Sequence, residues 1–225
     1  MRIYLIPGLG ADRRMYDSLI STLGKGEVLE FIPPLPGEDL PSYVQRFSAR
    51  IQTEDPFVLI GTSLGGIMCI ELLQYLSPRK IIMLASVKNR KEIPWWIRML
   101  RYVPVYRILP GDWYKKQVIR MASKGLKGPL QREAEMIIAM AQSADPHWVK
   151  WGIDSVVQWN GNCNDFSNII HLHGSKDPLF PLRYVKQAEV IRGGTHVMNI
   201  TRAKEINKRI DEIITALSAD RSTFH

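Results

Sequence analysis

Short apolar runs at 2–7, 27–32, 56–61, 80–86, 168–173 and 187–192 recur along the chain. Runs of this length, bounded by glycine, proline or polar residues, read as strands. Between most of them, at 12–23, 40–52 and 64–76, apolar residues return at helical spacing, and a polar, helix-like stretch at 201–218 closes the chain. Strand and helix in alternation predict a parallel sheet covered on both faces. The expected fold class is therefore α/β, a three-layer α/β/α arrangement with a mostly parallel sheet of about six strands. Residues 87–160 break the alternation. They hold all six tryptophans, and helix-spaced positions such as Met136, Ile137, Met140 and Ala141 predict several short helices broken by Pro94, Pro104, Pro110 and Pro129. The pattern thus divides the chain into a core, 1–86 and 161–225, and an inserted helical segment, 87–160.

Chemistry concentrates where predicted strands end. The run Phe57-Val58-Leu59-Ile60 hands over through Gly61-Thr62-Ser63-Leu64-Gly65 to the helix pattern of Ile67, Met68 and Ile70. Small residues at 61 and 65 allow a turn tight enough to project Ser63 outward. A serine hydroxyl is a weak nucleophile near neutral pH, so it needs a histidine base, and that imidazole needs an acceptor to fix its tautomer. His173-Gly174-Ser175-Lys176-Asp177-Pro178 follows the fifth strand and places Asp177 in a turn at its end. Gly193-Gly194-Thr195-His196 follows the sixth and leaves His196 on a loop. Near the N-terminus, Tyr4-Leu5-Ile6 runs into Pro7-Gly8-Leu9-Gly10, a turn whose backbone N–H groups can receive an oxyanion.

Other residues have plainer readings. Gly8-x-Gly10 followed by Glu30 has the outline of a dinucleotide-binding turn, but Arg13 stands where close helix packing requires glycine or alanine. His171 and His173 fit core or turn hydrogen bonding, and His147 after Asp145-Pro146 fits a helix start. Asp165 is a rival for the carboxylate role, but it precedes its strand and so sits at the opposite end from Ser63.

Together these residues resemble the α/β-hydrolase family over about 1–86 and 161–215. The resemblance implies a trimmed α/β-hydrolase fold lacking the two leading strands. It implies Ser63 as nucleophile, His196 as base and acid, Asp177 as orienting carboxylate, and the N–H groups of Leu9 and Leu64 as the oxyanion hole. Pro7-Gly8 replaces the His-Gly that many members carry. The segment 87–160 resembles the helical cap of many such hydrolases. The implied activity is hydrolysis of a small or medium acyl ester, with no cofactor needed. Thioester hydrolysis, acyl transfer and C–C bond hydrolysis use the same constellation, and a noncatalytic small-molecule receptor can share the scaffold.

Composition agrees with one domain. At 225 residues and 45% hydrophobic, the chain can bury a large core. Its two cysteines, Cys69 and Cys163, fit free thiols in a reducing compartment and have no zinc spacing, so no metal is expected. The apolar start is too short for a signal-peptide core, and no apolar run approaches a membrane span; a cytoplasmic location is the expectation. Residues 87–130 carry a net charge of +9 within a total of +8. Such a field can attract an anionic substrate, a carrier protein or an anionic membrane, or simply face solvent. No motif supports nucleic-acid binding.

Overall fold

The computed structural model describes residues 1–125, 130–161 and 165–219. Lys127, Pro129 and Cys163 lie outside the described residues. Six strands, β1 (Arg2–Ile6), β2 (Glu27–Val28), β3 (Phe57–Thr62), β4 (Lys80–Leu84), β5 (Ile169–Gly174) and β6 (Glu189–Ile191), form one sheet in the order β2-β1-β3-β4-β5-β6. Every pairing is parallel. The chain leaves β1 first toward β2 and later returns on the other side as β3, which makes β1/β3 the switch point of the sheet.

Side-chain alternation explains the layers. Tyr4, Ile6, Phe57, Leu59, Ile81 and Met83 enter one buried cluster, whereas Ile3, Leu5, Val58, Ile60, Ile82 and Leu84 enter the other. Helices α2 (Leu40–Ser48) and α3 (Leu64–Leu72) cover the first face. Helices α1 (Asp17–Leu23) and α9 (Ala203–Ala219) pack together over the second. All residues of α3 are buried, as its continuous apolar sequence requires.

Departures from the sequence expectation lie at element ends. The second strand pairs over only two residues, Glu27 and Val28, shorter than the apolar run at 27–32. The helix expected at 12–23 opens as a 3-10 turn, Arg13–Tyr16, with the Asp12 side chain accepting from the Arg14 amide. A short helix, α8 (Met198–Thr201), precedes α9.

Residues 87–160 contain α4 (Trp95–Met99), α5 (Gly111–Gly125), α6 (Gln131–Ser143) and α7 (Pro146–Gln158). Ile93, Ile97, Tyr106, Trp148, Val157 and Trp159 join the same buried cluster as α2 and α3. Trp148 and Trp151 stack at 4.8 Å and both lie against Tyr43 of α2. The Trp159 indole N–H donates to the buried Glu71 carboxylate at 2.5 Å. Helices α4 and α7 are thus packed onto the layer of α2 and α3, whereas Ile137 and Met140 of α6 cluster with Ile200.

Candidate active site

Strand register sets the site. Ile6 pairs with Gly61, Thr62 with Leu84, Leu84 with Leu172, and Gly174 with Ile191, so the C-terminal ends of five strands share one edge. Leu9, Ser63, Asp177 and His196 all follow those ends. Ser63 lies between β3 and α3 at φ 53° and ψ −116°, a strained conformation for a residue with a Cβ. Glycine at 65 is a steric requirement, since a Cβ there would fall inside the Ile6 carbonyl. The Ser63 amide donates to the Leu84 carbonyl at 3.0 Å, and the Ser86 hydroxyl donates to the Ser63 carbonyl at 2.7 Å. These bonds offset the strain by holding the serine from two sides.

The three predicted side chains form one hydrogen-bonded line. Asp177 Oδ2 lies 2.8 Å from His196 Nδ1, and His196 Nε2 lies 2.9 Å from Ser63 Oγ. A carboxylate only accepts, so Nδ1 carries the proton and Nε2 is left to accept from the serine. Asp177 Oδ1 accepts from the Leu179 and Phe180 amides at 2.8 and 2.9 Å. Burial opposes ionisation of Asp177, but the His196 charge and hydrogen bond, with the Phe180 amide, outweigh it and hold the carboxyl below its ordinary value. Phe180 also meets the His196 ring edge-on at 5.4 Å. Such a line can move the hydroxyl proton to the imidazole as the oxygen attacks an electrophile.

Leu9 and Leu64 flank the serine. A Cβ on Gly8 would stand 3.4 Å from Ser63 Cβ, which puts the turn after β1 directly behind the serine. Leu64 is the first residue of α3, where an amide has no partner within the helix. Helix α7 crosses above both: a Cβ on Gly152 would collide with Leu9 Cδ1 and approach Leu64 Cδ2 to 3.2 Å. Beyond Leu9, a cavity of about 500 Å³ is lined by Gly10, Ala11, Phe31, Met140 and Trp148, among others.

Behind Asp177 runs a buried polar chain that the sequence reading did not assemble. Lys88, only 3% exposed, places Nζ 3.3 Å from His171 Nδ1 and 3.4 Å from the Glu92 carboxylate. His171 Nε2 lies 3.2 Å from His173 Nδ1, and His173 Nε2 lies 2.8 Å from the Phe180 carbonyl and 3.7 Å from Asp177 Oδ2. Both ends dictate the same tautomers. The Phe180 carbonyl can only accept, so neutral His173 carries its proton on Nε2 and presents a lone pair to His171. His171 then donates from Nε2 and accepts from Lys88 at Nδ1. Burial, and for His171 the Lys88 charge, keep both imidazoles neutral, with affinities for protons below the ordinary value. Core hydrogen bonding was the expected role of these histidines; their alignment on Asp177 is new. The only sequence signal was the Lys88/Glu92 spacing of four, hidden among residues counted as surface charge.

The remaining candidates fall elsewhere. Asp165 caps a turn through the Ser167 amide at 2.9 Å, at the opposite end of β5 from Asp177. His147 is exposed and donates its amide to the Asp145 carboxylate, which also caps α7. Cys69 is buried in α3, and desolvation pushes its thiol up. Arg90 and Lys115, counted in the basic field, donate to backbone carbonyls of Val157 and Trp159 and of Gln142 and Ala144.

The profile of the alpha/beta hydrolase family matches residues 3–209. The chain belongs to that family. Solved structures agree on the fold: an esterase from Thermogutta terrifontis is 17% identical with a TM-score of 0.68, over 96% of this chain and 90% of its own. A carboxylesterase study of the thaumarchaeon Nitrososphaera gargenis supplies another, 15% identical at 0.70, covering 97% and 91%. A meta-cleavage product hydrolase from Pseudomonas fluorescens is 13% identical at 0.67, covering 96% and 91%. No curated protein matches the chain by sequence.

Proposed function

We propose that this alpha/beta hydrolase is a serine hydrolase that cleaves a small or medium acyl ester through an acyl-enzyme. The observation that carries the reading is the continuous line Asp177–His196–Ser63, with bonds of 2.8 and 2.9 Å at the C-terminal edge of the sheet. His196 takes the Ser63 proton as Oγ attacks the ester carbonyl, and Asp177 stabilises the imidazolium. The Leu9 and Leu64 amides receive the charge that develops on the carbonyl oxygen. His196 then protonates the departing alkoxide. Water, deprotonated by the same imidazole, attacks the acyl-enzyme and releases the carboxylic acid and free Ser63.

The helices of 87–160 act in this reading as a cap. Helix α7 closes over Leu9 and Leu64, where water exclusion strengthens the amide dipoles on the oxyanion. The cavity beside Leu9 offers apolar Phe31, Met140 and Trp148 to one arm of the ester. A fluorophosphonate probe followed by esters of graded chain length tests the reading: stoichiometric labelling of the wild type, lost in Ser63→Ala, is expected. Full labelling of the Ser63→Ala protein would overturn it.

A further inference from the structure

Among the described residues, eight of the twelve exposed large apolar side chains lie between residues 95 and 118. Trp95, Met99 and Tyr102 recur at spacings of four and three along α4 and the turn that continues it, where the Val103 amide still donates to the Met99 carbonyl. Val103 and Val105 follow, 56% and 53% exposed, and then Ile108 at 83%. The opposite side of the same segment is core, through Ile97 and Tyr106. This stretch is therefore apolar on two sides, one packed and one facing outward. It is also held in place. The Tyr106 hydroxyl donates to Asp154 of α7 at 2.5 Å, and Arg107 pairs with the same carboxylate at 2.7 Å.

The same segment is strongly basic. The net charge of residues 87–130 is +9, and although Lys88, Arg90 and Lys115 are engaged with internal partners, Lys91, Lys116 and Arg120 are exposed. An apolar surface this concentrated marks an interaction site in a folded chain. Its neighbours decide what kind. A second copy of the chain, docked face to face, would set one strongly positive field against another. A surface with negative headgroups over hydrocarbon answers both properties: tryptophan, tyrosine and valine enter the headgroup boundary, while lysine and arginine keep their charges at the phosphate level.

We propose that the outward face from Trp95 to Ile108 docks this protein on an anionic lipid surface. The association is peripheral, since among the described residues no helix is long and apolar enough to cross a membrane. The inference does not depend on the reading of Ser63.

Co-sedimentation with extruded vesicles tests it. At low salt the full chain should pellet with vesicles containing phosphatidylglycerol and stay in solution with pure phosphatidylcholine. Tyr102→Ser/Val105→Ser/Ile108→Ser should weaken the partition by about tenfold or more, because three exposed apolar groups no longer leave water. Melting temperature and probe labelling should not change, as these side chains face solvent in the folded protein. Lys116→Glu/Arg120→Glu should weaken binding and flatten its salt dependence. The proposal fails if neither vesicle binds, or if the triple variant binds as tightly as the wild type. It also fails if that variant abolishes a concentration-dependent dimer in a protein that ignores vesicles.

Discussion

Among the described serines, Ser63 alone sits at positive φ with its hydroxyl on an imidazole. Ser63→Ala should lower kcat by roughly 10⁶, the scale for a lost nucleophile, with the melting temperature kept. Asp177→Asn should cost about 10⁴ in kcat, because an amide can present N–H to His196 and invert its tautomer. Asp165→Asn, at the far end of β5, should leave steady-state rates unchanged, and an equal loss there would reassign the carboxylate. The buried chain makes a spectroscopic prediction. In long-range ¹H–¹⁵N spectra, His171 and His173 should both appear neutral with the proton on Nε2 at pH 7. A protonated ring, or a proton on Nδ1 of either, would break the derivation from Lys88 and the Phe180 carbonyl.

Elements act here through their close approaches. Helix α7 reaches Leu9 and Leu64 only because residue 152 has no side chain. Gly152→Val should push the helix off both turns and lower kcat/KM by about a hundredfold, since small displacements of donors from the reacting atom are that costly. Ser63 labelling should slow but remain stoichiometric, as the 2.9 Å contact with His196 does not involve α7. A wild-type rate in this variant would show that the close approach of α7 to Leu9 and Leu64 does not matter to turnover.

At the scale of the whole molecule, the buried histidines couple folding to pH. Both are held neutral, below their ordinary 6.5, by burial first. Below pH 6.5 the unfolded chain takes up protons that the folded chain refuses, so acid removes stability, at most about 1.4 kcal/mol per histidine per pH unit. Asp177 adds in the same direction lower down: its contribution is present above the ordinary 3.8 and is lost as pH falls through its depressed value. The melting temperature should drop steadily between pH 7 and pH 5, and His171→Gln should reduce that slope. A flat profile would show that the folded protein binds these protons.

Features encoded by local spacing were legible along the chain. Short apolar runs specified the strands, their alternation with helical stretches specified a parallel sheet with two covered faces, and Gly61-Thr62-Ser63-Leu64-Gly65 specified a strand-to-helix turn, because sterics act over a few residues. The order Ser63, Asp177, His196 was legible since each follows a strand, and parallel strands bring such followers to one edge. Which charges face water depends on contacts between distant parts of the chain. Lys88 read as one more cation of a basic segment, yet it lies buried against His171, a residue 83 positions away. The segment 87–160 stands out in the sequence as an insertion, but what its tryptophans pack against does not: Trp148 meets Tyr43 of α2 as well as Trp151, and Trp159 meets Glu71 of α3. Periodicity names the face of a helix that avoids water. It does not name the partner, which distant parts of the chain supply.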